Sequence, residues 1–226
     1  MSVVVPPWTL GIELLKAAGN IFGIRLGTEE PRYSSRPLTA SVQIRQYSSR
    51  VAAETTVLAD DDRARSEGFR RLAGYIFGKN HGRAKIAMTA PVAQQNDTIA
   101  MTAPVGQLPS ITGGSIIRFY MPAKWTLASL PPPDDDDIRL IEVPAETLAV
   151  LRFSGDRSAA AVTRRTDELL NTLHNNGIQT SGDPQAWFYD PPWTLSCTRR
   201  NEIAVPIQVQ VTVCTGTQRA VRPASR

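Results

Sequence analysis

The chain has 226 residues, 42% hydrophobic and 20% charged, with 25 Lys and Arg against 21 Asp and Glu and a formal net charge of +4. These proportions exclude a disordered chain and a bundle of membrane helices, and the near-balance of signs is too even for a nucleic-acid binder. Two cysteines, Cys197 and Cys214, make neither a zinc ribbon nor a disulfide scaffold, so a reduced, cytoplasmic setting is expected.

The N-terminus has no basic n-region or small-residue cleavage site, and no apolar run is long enough to span a bilayer, so neither export nor a membrane span is expected. Residues 8–24 are apolar but carry Gly11, Gly19 and Gly23; a short helix packed on the domain is expected, with weak membrane association as the other reading. Pro31 to Pro37 reads as a linker. Val42 to Tyr47 shows a rough strand alternation, and Val51 to Leu58 is a second β-prone run.

A first helix is bounded by cap candidates at Asp60 to Asp62 and by Gly78, with Phe69, Leu72, Ala73, Ile76 and Phe77 on one stripe and Arg63, Arg70 and Arg71 off it. Two identical heptapeptides follow, Ile86 to Val92 and Ile99 to Val105, whose larger residues recur every second position. They read as strand segments joined by a polar loop from Ala93 to Thr98. Ser115 to Met121, Ile138 to Val143 and Thr147 to Phe153 are further strands, with an exposed loop of prolines and aspartates from Pro131 to Asp137. A second helix is expected from about Ser158 to Asn175, then strands over Trp187 to Tyr189 and Glu202 to Val213. The order strand, strand, helix, strand, strand thus occurs twice, which implies a duplicated α+β unit whose sheet curls while two helices cover it.

Five landmarks in order carry a resemblance: Lys85 to Val92 with its second copy, Phe119-Tyr-Met-Pro122, Phe153-Ser-Gly155, Tyr189-Asp-Pro-Pro192 and Arg199-Arg-Asn-Glu-Ile203. Over roughly residues 29–208 the chain resembles the SOUL, or heme-binding protein, family. Residues 1–28 are left as an apolar N-terminal segment and 209–226 as the end of the last strand with a basic tail. The resemblance implies a distorted antiparallel β-barrel of about eight strands in two pseudo-symmetric halves, flanked by two long helices. It also implies reversible binding of heme or another porphyrin in an apolar groove beside the first helix, by a monomer that carries, buffers or delivers the tetrapyrrole without turning it over.

A porphyrin is an apolar plate with anionic propionates on one edge, so its site needs an apolar floor and a basic rim. Phe69, Leu72, Ala73, Ile76 and Phe77 are the floor candidates, and Arg70, Arg71 and Lys79 the propionate partners. The plain reading of that stripe is core, which leaves its edge residues as the better ligand contacts. His81, in the loop after the helix, is the candidate near iron, though an ordinary exposed histidine is the simpler reading, and no metal-binding cluster exists in the sequence. Met88, Met101 and Met121 read as core filler. Trp187, Phe188, Tyr189 and Trp193 either wall the groove or anchor the last strand. The sequence lacks G-x-S-x-G, a P-loop and a dinucleotide fingerprint, so no enzymatic activity is expected. The alternative function is a binding module for amphipathic or cationic molecules, as in GyrI-like effector-binding domains, which depends on a buried Glu202.

Overall fold

The computed structural model describes residues 28–96, 114–190 and 194–208. The apolar stretch at 8–24, the second heptapeptide, Trp193 and the expected extension of the last strand beyond 208 lie outside the described residues. Within them the elements run β1 (Tyr33–Pro37), β2 (Val42–Tyr47), β3 (Arg50–Val57), α1 (Asp61–Ile76), β4 (Val92–Asn96), β5 (Ser115–Tyr120), β6 (Arg139–Val143), β7 (Glu146–Phe153), α2 (Ala159–Asn175), β8 (Gln185–Phe188), a short 3-10 turn (Ser196–Thr198) and β9 (Asn201–Pro206).

The strands form one antiparallel sheet in the order β1-β2-β7-β9-β8-β4-β5-β3-β6, an open, curled half-barrel. Leaving out β1, the order reads symmetrically about the β4–β8 pair. The first strand of each half pairs with the second strand of the other, β2 with β7 and β6 with β3. The duplicated α+β unit expected from the sequence is therefore present, with its first strands exchanged. Both helices cover one face. α1 packs with Ala53, Ile117 and Phe119, and α2 places Leu169 and Leu173 against Val42, Leu151 and Ile203. The alternate residues point to the other face, where Tyr47, Tyr120, Leu148, Val150, Trp187 and Tyr189 pack together without helix residues. Among the described residues no helix is long and apolar enough to cross a membrane.

Local chemistry sets the helix limits. The Asp60 side chain accepts from the Arg63 amide at 3.0 Å, and Asp61 and Asp62 lie in the first turn near the positive end of the helix dipole. Gly78, at φ 113°, turns the chain out after the Phe77 cap. α2 starts in the same way on Ser158, whose side chain accepts from the Ala161 amide.

Three expectations need correction. Pro31 to Pro37 is a linker only in its first residues, because Tyr33–Pro37 pairs with β2 from Tyr33↔Tyr47 to Pro37↔Gln43. All five residues are exposed, and a polar edge strand has no apolar alternation to betray it. The first heptapeptide is not a strand over Ile86 to Pro91. The strand begins at Val92 and runs to Asn96, where a loop was expected. Ile86 and Ala90 are nonetheless buried, because the irregular segment is tied down by the Ile86 N–H donating to the Ile76 carbonyl and the Ala90 N–H to the Glu29 carbonyl. The polar β4 residue Gln94 is buried too, its amide donating to the Asp61 carbonyl at 3.0 Å. Lastly, the buried stripe of α1 is Ala64, Gly68, Leu72, Tyr75 and Ile76, so the expected Phe69 and Phe77 fall outside it.

Gly68 lets α1 approach the sheet, since a Cβ there would lie 2.5 Å from Ile117 Cγ1 and 2.7 Å from its Cβ. Gly68→Ala is expected to destabilise the protein by about 1–3 kcal/mol through this overlap, read as a lower urea midpoint with an unchanged m value.

Candidate functional site

Phe69, Ala73 and Phe77 follow one another at i, i+4 and i+8 and form a line along α1 just outside its buried stripe. Leu72 and Ile76 lie in the core beneath, whereas Phe69 is 39% and Phe77 65% exposed. The Phe69 ring meets Phe119 of β5 edge to face, with centroids 5.4 Å apart, so the surface strip is continuous with the core. Arg70 is exposed beside it and makes no ion pair among the described residues. Lys79, also exposed, lays its aliphatic stem over Gly74, where a Cβ would come 3.1 Å from Lys79 Cδ.

Arg71 occupies the opposite edge of α1. It donates to Thr55 Oγ1 at 2.8 Å and faces Asp137 at 3.1 Å and Asp135 and Glu67 at 3.6 Å. His81 turns to the same acidic loop, with Nε2 3.6 Å from Asp134 and a 71% exposed side chain. The structure thus brings Phe69, Arg70, Ala73 and Phe77 together, puts Leu72 and Ile76 under them, and directs Arg71 and His81 to the aspartates. Met121 belongs to the core cluster under α1, and the partly buried Met88 packs against it. Trp187, Phe188 and Tyr189 are buried in and after β8, which pairs with the last strand β9; Trp193 is outside the described residues.

On the face away from the helices lies a polar cluster around Glu202, which has no exposed surface. Arg45 of β2 grips its carboxylate with both terminal nitrogens, at 2.7 and 3.0 Å. Arg200 Nε donates to it at 2.9 Å and the Tyr189 hydroxyl at 2.7 Å, while the far end of Arg200 reaches Glu30 at 3.0 Å. Burial alone would push the Glu202 carboxyl up, but the hydrogen bond and charge of Arg45, the charge of Arg200 and the Tyr189 hydroxyl outweigh it and hold the group below its ordinary value. With both oxygens engaged by two cations, Glu202 offers no free charge to a cationic ligand. Glu202 was picked out from the sequence, but Arg45 was not. It stands on the polar phase of β2, and only the pairing of β2 beside β7 brings it within reach of β9.

Residues 28–206 match the family described as SOUL heme-binding protein. The chain belongs to that family. It is 30% identical over 142 residues to heme-binding protein 2 of Mus musculus and, equally, to that of Homo sapiens. Each match takes in 62% of this chain and 65% of the relative, just under two thirds of the relatives' length. Among solved structures, the EcmrR C-terminal domain shares the fold with a TM-score of 0.54 at 12% identity, covering 78% of this chain and 98% of that one. An uncharacterized conserved protein from Listeria innocua aligns at TM-score 0.51 and 8% identity, over 86% and 98% of the two chains. The expected family is thereby established, and so is the α+β half-barrel with two helices.

Two outcomes follow from the Glu202 cluster. Because the carboxyl is held below its unfolded value, its stabilising contribution is full above the ordinary glutamate range and is lost as pH falls through the lowered folded value. Denaturation midpoints measured from pH 6 down to pH 3 are expected to drop over the acid end of that range. Glu202→Gln strands Arg45 and Arg200 and is expected to cost about 3–5 kcal/mol, with a flatter acid limb in the same series.

Proposed function

We propose that this SOUL-family protein binds heme or a related porphyrin reversibly on the outer edge of α1, as a carrier, buffer or delivery protein that does not turn its ligand over. The observation that carries the reading is the line Phe69, Ala73, Phe77, which leaves two aromatic rings partly in solvent beside Arg70 and Lys79. Apolar surface of this kind on an otherwise satisfied helix is unfavourable in water and favourable against a flat apolar plate. The porphyrin ring lies on Phe69, Ala73 and Phe77, while Arg70 and Lys79 neutralise the propionates. Leu72 and Ile76 support the strip from below rather than touching the ligand. Arg71 has its guanidinium committed to Thr55 and the aspartates, so it contributes little to the rim. When iron is present the heme supplies its own redox and ligand chemistry; affinity in this reading comes from the ring and its carboxylates, not from His81. Family membership supports the ligand class. In this reading the protein acts as a cytoplasmic monomer with no nucleic-acid partner, a setting that suits the exposed free thiol of Cys197.

Hemin titration of the purified protein, followed by the Soret shift, is expected to saturate in the micromolar range. Phe69→Ala with Phe77→Ala should weaken binding by about tenfold or more, since each truncation removes on the order of 1 kcal/mol or more of apolar contact. Arg70→Glu should weaken it further, whereas His81→Ala and metal-free protoporphyrin IX should leave affinity close to that of the intact pair. Absence of a saturable shift, or an unchanged affinity in the double phenylalanine variant, would defeat the proposal.

A further inference from the structure

Of the two rim cations, Arg70 stands on α1 itself, whereas Lys79 follows the helix and reaches its surface only through the geometry of the helix end. The chain leaves α1 through a Schellman motif. The Gly78 amide donates to the Tyr75 carbonyl at 3.3 Å and the Lys79 amide to the Gly74 carbonyl at 2.9 Å, with Gly78 in the left-handed conformation this turn needs. Asn80 then locks the exit. It is buried, its amide nitrogen donates to the Tyr75 and Ala84 carbonyls at 2.8 Å each, and its oxygen accepts from the Ala84 amide at 2.9 Å. The Lys79 carbonyl accepts from the Asp134 amide at 3.4 Å, so the backbone of Lys79 is fixed on both sides.

In such a motif the residue at the place of Lys79 packs back on the one at the place of Gly74. Here the stem does so over a residue with no side chain. A Cβ on Gly74 would stand 3.1 Å from Lys79 Cδ and 3.8 Å from both Cγ and Cε, and these are the three atoms nearest to it. Gly68 differs, because there the nearest atoms belong to Ile117 of the sheet. Glycine is a poorer helix former than alanine, and at position 74 the space it leaves is taken by Lys79. Gly74 lies one turn beyond Arg70 on the same ridge and next to Ala73 of the aromatic line, so the stem crosses α1 beside both. The acidic loop does not claim the ammonium. Asp134 faces His81 at 3.6 Å, Asp135 and Asp137 face Arg71 at 3.6 and 3.1 Å, and Lys79 makes no ion pair among the described residues.

We propose that Gly74 is a positioning residue of the porphyrin site, a bare bed that keeps the Lys79 stem on α1 and its ammonium available to the carboxylate edge of the ligand. The inference rests on the tetrapyrrole reading and assigns to that site a residue that does not itself contact the ligand. A lysine free in solvent gives up much rotamer freedom when it binds a carboxylate, and one already laid on the helix gives up less.

A double-mutant cycle on the full chain, with hemin affinity read from the Soret band, tests the assignment. Gly74→Ala should weaken hemin about threefold or more while Lys79 is in place, as a displaced charge-assisted contact implies, and should change nothing in a Lys79→Gln background. The same substitution should raise the urea midpoint, because alanine favours the helix and what its Cβ meets is a side chain that can move aside. In the ligand-free protein, carbon-13 relaxation should show Lys79 Cε more restricted than that of the exposed Lys85, and Gly74→Ala should remove the difference. Equal loss of affinity in both backgrounds, unchanged affinity with Lys79 present, a lowered urea midpoint, or a Lys79 Cε as mobile as that of Lys85 would each overturn the role of Gly74 while hemin binding stands. Absence of a saturable Soret shift in the native chain would instead defeat the tetrapyrrole reading, and this role with it.

Discussion

A buried carboxylate shared by two arginines holds the two halves of this protein in register. Glu202 lies on β9 in the second half and Arg45 on β2 in the first, and Arg200 extends the contact to Glu30 before the first strand. Removing two or three charges from water is costly, and their attraction recovers that cost only if every lone pair and proton is matched. Here the bidentate grip of Arg45, the Arg200 Nε and the Tyr189 hydroxyl meet that condition. The cluster works because the first strands of the halves are exchanged: without β2 beside β7, Arg45 and Glu202 would stand in separate sheets.

This arrangement gives the two faces of the sheet different chemistry. Helices cover only one face of the sheet, so the other face must satisfy itself with Tyr47, Tyr120, Trp187 and Tyr189 and with paired charges. Tyr47 and Tyr120 meet Trp187 edge to face, at 5.8 and 6.2 Å between centroids, and leave no exposed apolar surface among these four rings. On the helical side α1 uses Leu72, Tyr75 and Ile76 to reach the sheet and leaves Phe69 and Phe77 exposed at its edge, while on the other face Tyr33 of β1 is exposed against Tyr47. The porphyrin proposed above would meet exposed rings along the edge of α1.

Much of this could be read from the residues. Asp60 and Gly78 bracket α1 by local chemistry that tertiary contacts do not override, and the order of elements announced the duplication. The site was readable in part. The helical spacing singled out the five α1 residues, but choosing between core and edge requires knowing how the helix rolls on the sheet, and that is decided by Gly68 meeting Ile117. Arg71 and His81 looked like ligand partners until Asp134, Asp135 and Asp137 folded next to them. β1 was missed because an exposed edge strand has no apolar phase, and the heptapeptide because its alternation reflects burial of an irregular segment rather than a ladder. Arg45 had no local signal: its burial depends on a partner 157 residues away.

Chemical-shift mapping of the isotope-labelled protein with zinc protoporphyrin IX tests the central claim most directly. The account predicts that the amides and methyls which move at saturation cluster on Phe69, Arg70, Ala73, Phe77 and Lys79. Shifts centred away from α1, or none at ligand excess, would contradict it.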